Sequence, residues 1–167
     1  MKIAIISDTH DNLINIQKAM DFIKKEDVGV IIHCGDVSNL FTLNEILKNF
    51  QGEFYLSLGN ADDDSLKDKE ILKKSKNLKI YENFGEFEME GKKIAFSHFP
   101  QVCQNLSQLQ KYDFVFYGHT HKPLEEKIGK TRLINPGNLA GLYYKASFAI
   151  YDSREDSLKL KILEMLK

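Results

Sequence analysis

The first sixty residues alternate short apolar runs with amphipathic segments, and this alternation restricts the fold more than any other feature of the chain. Residues 2–7, 28–34 and 54–58 are apolar runs suited to strands buried on both faces. Between them, residues 12–25 and 42–50 carry apolar side chains every three or four positions, which predicts two helices. A βαβαβ order predicts parallel strands joined by right-handed crossovers. We therefore expect an α/β fold.

The second half of the chain changes character, because short strand-like runs follow one another there. The predicted strands are 84–89, 92–97, 114–117, 124–128, 132–135, 147–152 and 158–163. Residues 102–111 predict a third helix, and the lysine-rich residues 66–79 predict a solvated helix and loop. One sheet this wide would be unusual in a chain of 167 residues. We therefore expect two sheets packed face to face with helices outside, within one domain over residues 1–167.

The charges of the chain are nearly balanced, and this narrows the function classes. Lysine and arginine number 23 against 24 aspartates and glutamates, so no global basic field draws the protein to long nucleic acid or to a membrane surface. Two cysteines are too few for a disulfide framework or a four-thiolate zinc site. The amino-terminal apolar run is too short for a signal peptide or a membrane span, so we expect a cytoplasmic protein.

Side chains that can bind metal follow five of the predicted strands, where ligands gather in α/β folds. These residues are Asp8, His10, Asp36, Asn60, His98, His119 and His121. In extended backbone, side chains two residues apart point to the same side, so Asp8 with His10, and His119 with His121, can each face one ion. Gly35, Gly59 and Gly118 each precede a candidate ligand. We expect these glycines to let the backbone turn sharply and approach the ion closely.

The chemistry of this set points to particular metals. Carboxylates, imidazoles and one amide oxygen suit manganese, iron, zinc, nickel or cobalt, and seven ligands suggest two ions that share one carboxylate. A single histidine at a strand end is more often a structural residue, but four of the five histidines fall in this ordered pattern. The fifth, His33, lies within an apolar run, and we interpret it as a structural or supporting residue.

The ordered motifs resemble those of the calcineurin-like metallophosphoesterase superfamily, in particular its small phosphodiesterase branch. They are Ser7-Asp8-Thr9-His10, His33-Cys34-Gly35-Asp36, Gly59-Asn60-Ala61-Asp62, Ser97-His98, Tyr117-Gly118-His119-Thr120-His121 and Asn135-Pro136-Gly137. The resemblance spans essentially the whole chain. It implies a four-layer α/β/β/α sandwich of two mixed β-sheets, with two divalent ions at one end. Manganese is the first choice of ion, and nickel, iron, zinc and cobalt are the alternatives.

The resemblance also implies a role for each candidate residue. One metal is expected on Asp8, His10, Asp36 and His121, and the other on Asp36, Asn60, His98 and His119. Asp36 would bridge the ions, and Asn60 and His98 would lie near the phosphoryl oxygens. All three residues would take part in catalysis. The turn at Asn135 would brace the site, and Asp62 would orient a metal-binding histidine.

The implied function is hydrolysis of small phosphodiesters, nucleotides among them, by in-line attack of a bridging hydroxide. Many phosphatases of the superfamily carry a histidine directly after the Gly-Asn pair, where it can protonate the leaving group, but this chain has Ala61. We therefore expect a preference for diesters or for esters with good leaving groups. Phe99 follows His98 where the branch usually shows Gly-His. Phe99 as part of the substrate pocket and Phe99 as part of the core are both open.

Two other functions compete with this one. The same fold serves as a protein-binding scaffold in the retromer coat, where the site is degraded, so the fold alone does not establish catalysis. All seven candidate positions are intact here, which favours the enzyme over a non-catalytic metal-binding scaffold. A nuclease that acts on long DNA is disfavoured by the balanced charge. No membrane partner is expected, and whether the protein forms a homodimer is left open.

Overall fold

The computed structural model describes residues 1–67 and 76–166, which form eleven strands and three α-helices. The strands are β1 (Lys2–Ile6), β2 (Val30–His33), β3 (Glu53–Ser57), β4 (Leu78–Tyr81), β5 (Phe84–Met89), β6 (Lys92–Ser97), β7 (Phe114–Phe116), β8 (Leu124–Ile128), β9 (Thr131–Asn135), β10 (Ser147–Asp152) and β11 (Ser157–Ile162). The helices are α1 (Leu13–Lys25), α2 (Leu40–Lys48) and α3 (Pro100–Gln108), and short 3₁₀ helices cover Asp64–Lys67 and Leu163–Met165.

The strands form two mixed sheets. The first has the order β11-β10-β1-β2-β3-β4, and its strands β1 to β4 are parallel to one another. The second has the order β5-β6-β7-β9-β8, with β6, β7 and β9 parallel. The parallel strands are neighbours within each sheet. The loops that follow their carboxyl ends carry the candidate residues.

Side-chain alternation along the strands explains why the molecule has four layers. Successive residues of a strand point to opposite faces, so in β1 the side chains of Ile3 and Ile5 pack between the sheets while Ala4 and Ile6 pack under α1 and α2. A third apolar cluster, which includes Cys103 and Leu106, lies between α3 and the second sheet. The α/β/β/α sandwich predicted from the sequence is confirmed.

The helices begin where local chemistry favours a start. The side chain of Asn12 accepts a hydrogen bond from the backbone N–H of Asn15 and caps α1, and Asn39 caps α2 in the same way through Thr42. Such caps satisfy backbone N–H groups that have no partner inside the helix. Helix α3 begins at Pro100, two residues before its predicted start, because proline is favourable in the first helical turn.

One segment departs from the prediction. Residues 66–79 were expected to form a solvated helix and loop, but Leu78–Tyr81 is strand β4, parallel to β3 at the edge of the first sheet. The sequence-based prediction was wrong here because four residues are too short to show a periodicity, and the lysines around them resemble a solvated surface. Residues 68–75 of that prediction lie outside the described residues.

Among the described residues, no helix combines the length and the apolar character that a crossing of the bilayer would need.

Candidate metal centre

The seven candidate side chains meet at one end of the sandwich. The loops after β1, β2 and β3 bring Asp8 with His10, Asp36 and Asn60 from the first sheet, and the loops after β6 and β7 bring His98, His119 and His121 from the second. Asp8, Asp36 and His98 are buried and form the floor of the site. His10, Asn60, His119 and His121 lie above them, toward solvent.

The side chains of Asp8, His10 and His121 form what we call the first group. Nε2 of His10 lies 3.3 Å from Nε2 of His121. Oδ1 of Asp8 lies 3.2 Å from Nε2 of His121 and 3.9 Å from Nε2 of His10. Three electron-pair donors therefore point at one small volume.

The side chains of Asn60, His98 and His119 form the second group. Oδ1 of Asn60 lies 3.0 Å from Nε2 of His98 and 2.9 Å from Nδ1 of His119. The two histidine nitrogens are 3.1 Å apart. This group also directs two nitrogens and one oxygen at a common point.

Asp36 faces both groups. Its Oδ2 atom lies 3.6 Å from Nε2 of His10 and 3.5 Å from Nε2 of His98. Its other oxygen, Oδ1, accepts a hydrogen bond of 2.8 Å from the backbone N–H of Ala61. Oδ2 of Asp36 is thus the carboxylate oxygen that faces a histidine of each group.

The contacts in the second group fit a cation better than they fit hydrogen bonding. The Nδ1 atom of His98 lies 2.9 Å from the backbone oxygen of Cys34, so it must carry the proton and donate it. Nε2 of His98 then presents a lone pair to the carbonyl oxygen of Asn60 and the carboxylate of Asp36. Three acceptors without a proton between them repel one another unless a positive charge lies among them.

The spacing of the atoms agrees with this interpretation. Ligand atoms that lie about 2.0–2.2 Å from an ion are about 3.0–3.5 Å from each other in tetrahedral or octahedral geometry. The separations within the two groups run from 2.9 Å to 3.9 Å. The residues present therefore fit divalent metal ions, and the mixed nitrogen and oxygen donors suit transition metals.

Burial explains the protonation states in the site. Burial raises the pKa of Asp8 from 3.8 to about 8, a rise that the hydrogen bond from Ser7 opposes and the neighbouring Asp36 reinforces. Burial also lowers the pKa of His98, against the attraction of Asp36, and lowers the pKa of His121. Histidines that stay neutral keep the lone pair that a metal ligand needs.

The backbone that presents these residues is unusual. Asp8, His10, Asp36, His119 and His121 all have positive φ angles, between 39° and 67°. Non-glycine residues seldom adopt this left-handed region, and strained backbone of this kind is frequent at functional sites.

The expectation that both pairs lie in extended backbone was therefore wrong. A tight turn after β1 brings Asp8 and His10 together in the first group. His119 and His121 do not share a group, because His121 lies in the first and His119 in the second, so the expectation that they face one ion was also wrong. The backbone oxygen of Asp36 accepts hydrogen bonds from the N–H groups of both Thr9 and His10. These bonds hold the turn after β1 against the loop after β2.

Two of the glycines show why no side chain fits there. A Cβ atom on Gly59 would lie 2.2 Å from Oδ1 of Asp36, and one on Gly118 would lie 2.0 Å from Oγ of Ser7 and 2.8 Å from Oδ2 of Asp8. All three distances are far below van der Waals contact, so the loops pass against Asp36, Ser7 and Asp8 only because these residues are glycine. The approach of these glycines to an ion stays a prediction.

His33 supports the site from below, as interpreted from the sequence. It is fully buried, and burial lowers its pKa to about 3. Its Nδ1 atom accepts the backbone N–H of Gly35 at 3.2 Å, so Nε2 carries the proton and donates to Oγ1 of Thr9 at 3.1 Å. His33 therefore ties the turn that carries Asp8 and His10 to the loop that carries Asp36.

Asp62 does not orient a histidine, so that prediction was wrong. Its carboxylate accepts the backbone N–H groups of Asp36, Ser38 and Gly59 at distances of 2.7–3.0 Å. Three backbone donors satisfy it completely, and they pin the loop after β2 to the loop after β3. Sequence position alone gave no sign of these partners, because all of them are backbone atoms.

Asn135 braces the site as expected. Its Nδ2 atom donates to the backbone oxygen of Gly118 at 2.9 Å and to Oγ1 of Thr120 at 3.0 Å, while Oδ1 accepts the N–H of Gly137 at 2.8 Å. These bonds hold the backbone on both sides of His119.

Comparisons with known proteins decide the family. Residues 1–156 match the model of the calcineurin-like phosphoesterase superfamily domain. The chain belongs to this superfamily. It is a metal-dependent phosphoric ester hydrolase.

Individual relatives agree with this assignment. Phosphodiesterase MJ0936 of Methanocaldococcus jannaschii is 35% identical, over 98% of this chain and 100% of its own length. A solved structure of a novel archaeal phosphodiesterase superposes with a TM-score of 0.87 and 33% identity, covering 97% of this chain and 99% of that one. Vps29 of Entamoeba histolytica has the same fold, with a TM-score of 0.70 and 17% identity over 96% of this chain and 97% of its own.

Proposed function

We propose that the protein is a phosphodiesterase that uses two divalent metal ions, manganese first, to hydrolyse small phosphodiesters. The observation that carries the proposal is the position of Asp36, whose Oδ2 atom lies 3.5–3.6 Å from a histidine of each group. A carboxylate placed in this way suits a bridge between two ions. The full-length similarity to a protein named as a phosphodiesterase supports the proposal.

Two bound ions would lower the pKa of a water molecule and neutralise the phosphate oxygens. The protein's own residues supply the arrangement. Asp8, Asp36 and His98 form a buried floor that excludes bulk water. Asn60 and His119 lie above this floor and are exposed, so they border the space where the phosphate would lie and orient it for in-line attack.

The chain has few arginines, the residues whose planar guanidinium can bind a phosphate through two hydrogen bonds. Its two arginines are Arg132 and Arg154, and Arg132 forms an ion pair with Glu125 on the neighbouring strand β8. Arg154 lies beside Met1 and Lys2, at the amino end of β1, whereas the candidate residues lie at the carboxyl ends. We therefore expect no arginine clamp at the site, and phosphate binding that depends mainly on the ions.

The diester preference follows from Ala61. The residue directly after Asn60 has only a methyl group, and its backbone N–H is used by Asp36. It can neither donate a proton to the leaving group nor bind the extra charge of a monoester. Substrates whose leaving group departs without protonation should therefore react fastest.

The test is hydrolysis of bis(p-nitrophenyl) phosphate beside p-nitrophenyl phosphate, with metal-stripped protein and added Mn²⁺. We expect Mn²⁺ to restore hydrolysis, with the diester preferred, and the Asp36→Asn and His98→Ala variants to be inactive. Asp64→Asn is the matched control, because the side chain of Asp64 is 93% exposed. A folded protein with no turnover in any divalent metal would contradict the proposal and favour the binding-scaffold alternative.

A further inference from the structure

Two aromatic rings flank the candidate metal centre, one beside each group. The ring of Tyr143 lies 5.9 Å from the ring of His121, measured between centroids. The ring of Phe99 lies 5.0 Å from that of His98 and 5.9 Å from that of His119. A phosphate held between the groups would therefore have an aromatic ring near each end of its binding space.

Tyr143 is exposed to solvent in an unfavourable backbone conformation. The residue is 92% exposed and its φ angle is 64°, in the left-handed region that aromatic residues seldom adopt. Its neighbours Leu142 and Tyr144 are also exposed, at 44% and 45%. Burial in the core of the monomer therefore does not account for this conformation.

The conformation is held by a buried residue that also supports the metal centre. The Nδ2 atom of Asn138 donates to the backbone oxygens of His121 at 3.2 Å and Leu142 at 3.1 Å, and Oδ1 accepts the N–H of Leu142 at 2.8 Å. Asn138 is completely buried. One carboxamide thus fixes the position of Tyr143 relative to His121.

Phe99 is fixed as well. It is half-buried, belongs to none of the three apolar clusters, and occupies the position directly before helix α3 without a side-chain hydrogen bond. Pro100 follows it in the first turn of that helix, which restricts the backbone at this point. The alternative that places Phe99 in the core is therefore wrong, and its ring borders the site.

We propose that Tyr143 and Phe99 bind the organic groups of the substrate by stacking, and that the substrate is a diester with at least one planar aromatic group, as in a nucleotide-derived diester. The inference rests on the proposed function. Stacking suits this site because it needs no charged partner and because every nucleobase has a π face. It would supply specificity that an arginine clamp does not supply in this chain.

Kinetics test the role of Tyr143. Loss of one base-stacking ring typically weakens binding by about 5- to 100-fold, so we expect Tyr143→Ala to raise KM for an aromatic diester at least about fivefold with kcat nearly unchanged. Tyr143→Phe should keep the wild-type KM. Tyr144→Ala is the matched control from the same loop. An unchanged KM in Tyr143→Ala would overturn the proposal.

A binding experiment separates this inference from the proposed function. The chain contains no tryptophan, so Tyr143→Trp introduces a single fluorophore. We expect the methyl diester of adenosine 5′-phosphate, with Mn²⁺ present, to quench its fluorescence, and dimethyl phosphate, which lacks the base, to leave it unchanged. Equal responses to both, or none, would overturn the stacking proposal even if diesters are hydrolysed. Quenching by the nucleotide alone supports stacking even where diester turnover fails.

Discussion

The two groups of the candidate metal centre differ in how firmly the most buried histidine of each is held. In the second group, His98 is fully buried and its Nδ1 atom donates to the backbone oxygen of Cys34. In the first group, the side chains of His10 and His121 are 22% and 12% exposed. Nδ1 of His121 is buried and, among the described residues, makes no hydrogen bond of good geometry, although the backbone of Leu142 lies near it.

This difference has a physical consequence. A hydrogen bond to the second nitrogen of a histidine fixes both its tautomer and its ring orientation before a metal binds. In the second group, this hydrogen bond orients His98 before a metal binds. In the first group, the ion itself must orient the histidines. We therefore expect the ion of the second group to bind more tightly, and the ion of the first group to exchange with solvent.

The largest effect is expected at the residue that the two groups share. Asp36→Asn removes a charge that faces both His10 and His98, so both ions should bind more weakly. We expect activity to fall by at least about 10³-fold, with the metal content of the purified protein reduced at both sites. Metal analysis and diester hydrolysis measure this. Loss of only one ion would contradict the proposal that Asp36 binds both ions.

His98→Ala and His121→Ala compare the groups directly. His98→Ala should reduce activity by about 10²–10³-fold and should not recover at high Mn²⁺, because a pre-oriented ligand of the tighter site is lost. His121→Ala should recover much of its activity as Mn²⁺ is raised into the millimolar range. The Mn²⁺ dependence of both variants measures this. Equal recovery, or recovery of His98→Ala alone, would contradict the proposed order of affinities.

Asn135 tests how much the supporting hydrogen bonds contribute. Asn135→Ala removes two bonds that hold the backbone around His119. Residues that support metal ligands typically change metal affinity or activity by about 10–100-fold, and we expect a loss in this range. Asn105→Ala is a suitable control, because Asn105 lies on the exposed face of α3. An Asn135→Ala variant with wild-type Mn²⁺ affinity would exclude a bracing role.

The smallest effect concerns the stability of the metal-free protein. The pKa of Asp8 is about 8 in the fold against an ordinary value of 3.8. The folded state therefore holds a proton that the unfolded state releases, and Asp8 lowers the free energy of unfolding as pH rises from about 4 to 8. Asp8→Asn should remove this loss.

Thermal melts of metal-stripped protein at pH 5 and pH 8 check the prediction. About 1 kcal/mol corresponds to a Tm change of roughly 2–4 °C in a domain of this size, and we expect Asp8→Asn to raise Tm by at least that much at pH 8 and by less at pH 5. Added Mn²⁺ should then stabilise the wild type more than the variant. A variant less stable than the wild type at pH 8 would show that the buried charge of Asp8 does not destabilise the fold.

The sequence predicted which side chains meet but not how they do so. The order of strands and helices was enough to bring Asp8, Asp36 and Asn60 to one edge of a parallel sheet, because carboxyl ends of parallel strands lie together. The positive φ angles at residues such as His10 and His121 were not predictable. The backbone at His10 is held by Asp36 and that at His121 by the side chain of Asn138, and both partners are distant in the sequence.

Supporting residues divide in the same way. His33 was identifiable because it precedes the Gly35-Asp36 pair in the sequence, and Asn135 because of the family resemblance. The role of Asp62 was missed because its three partners are backbone N–H groups from two loops. Strand β4 was missed because it is a short edge strand, and its pairing with β3 depends on the tertiary fold rather than on its own residues.

The central claim is that the site binds two ions that act together on a phosphodiester. The most direct measurement is a titration of metal-stripped protein with Mn²⁺ in which bound ions and hydrolysis of bis(p-nitrophenyl) phosphate are followed together. We predict two ions per chain, with unequal affinities, and activity that rises with the second. Full activity with one ion per chain, or two bound ions without hydrolysis, would contradict the account.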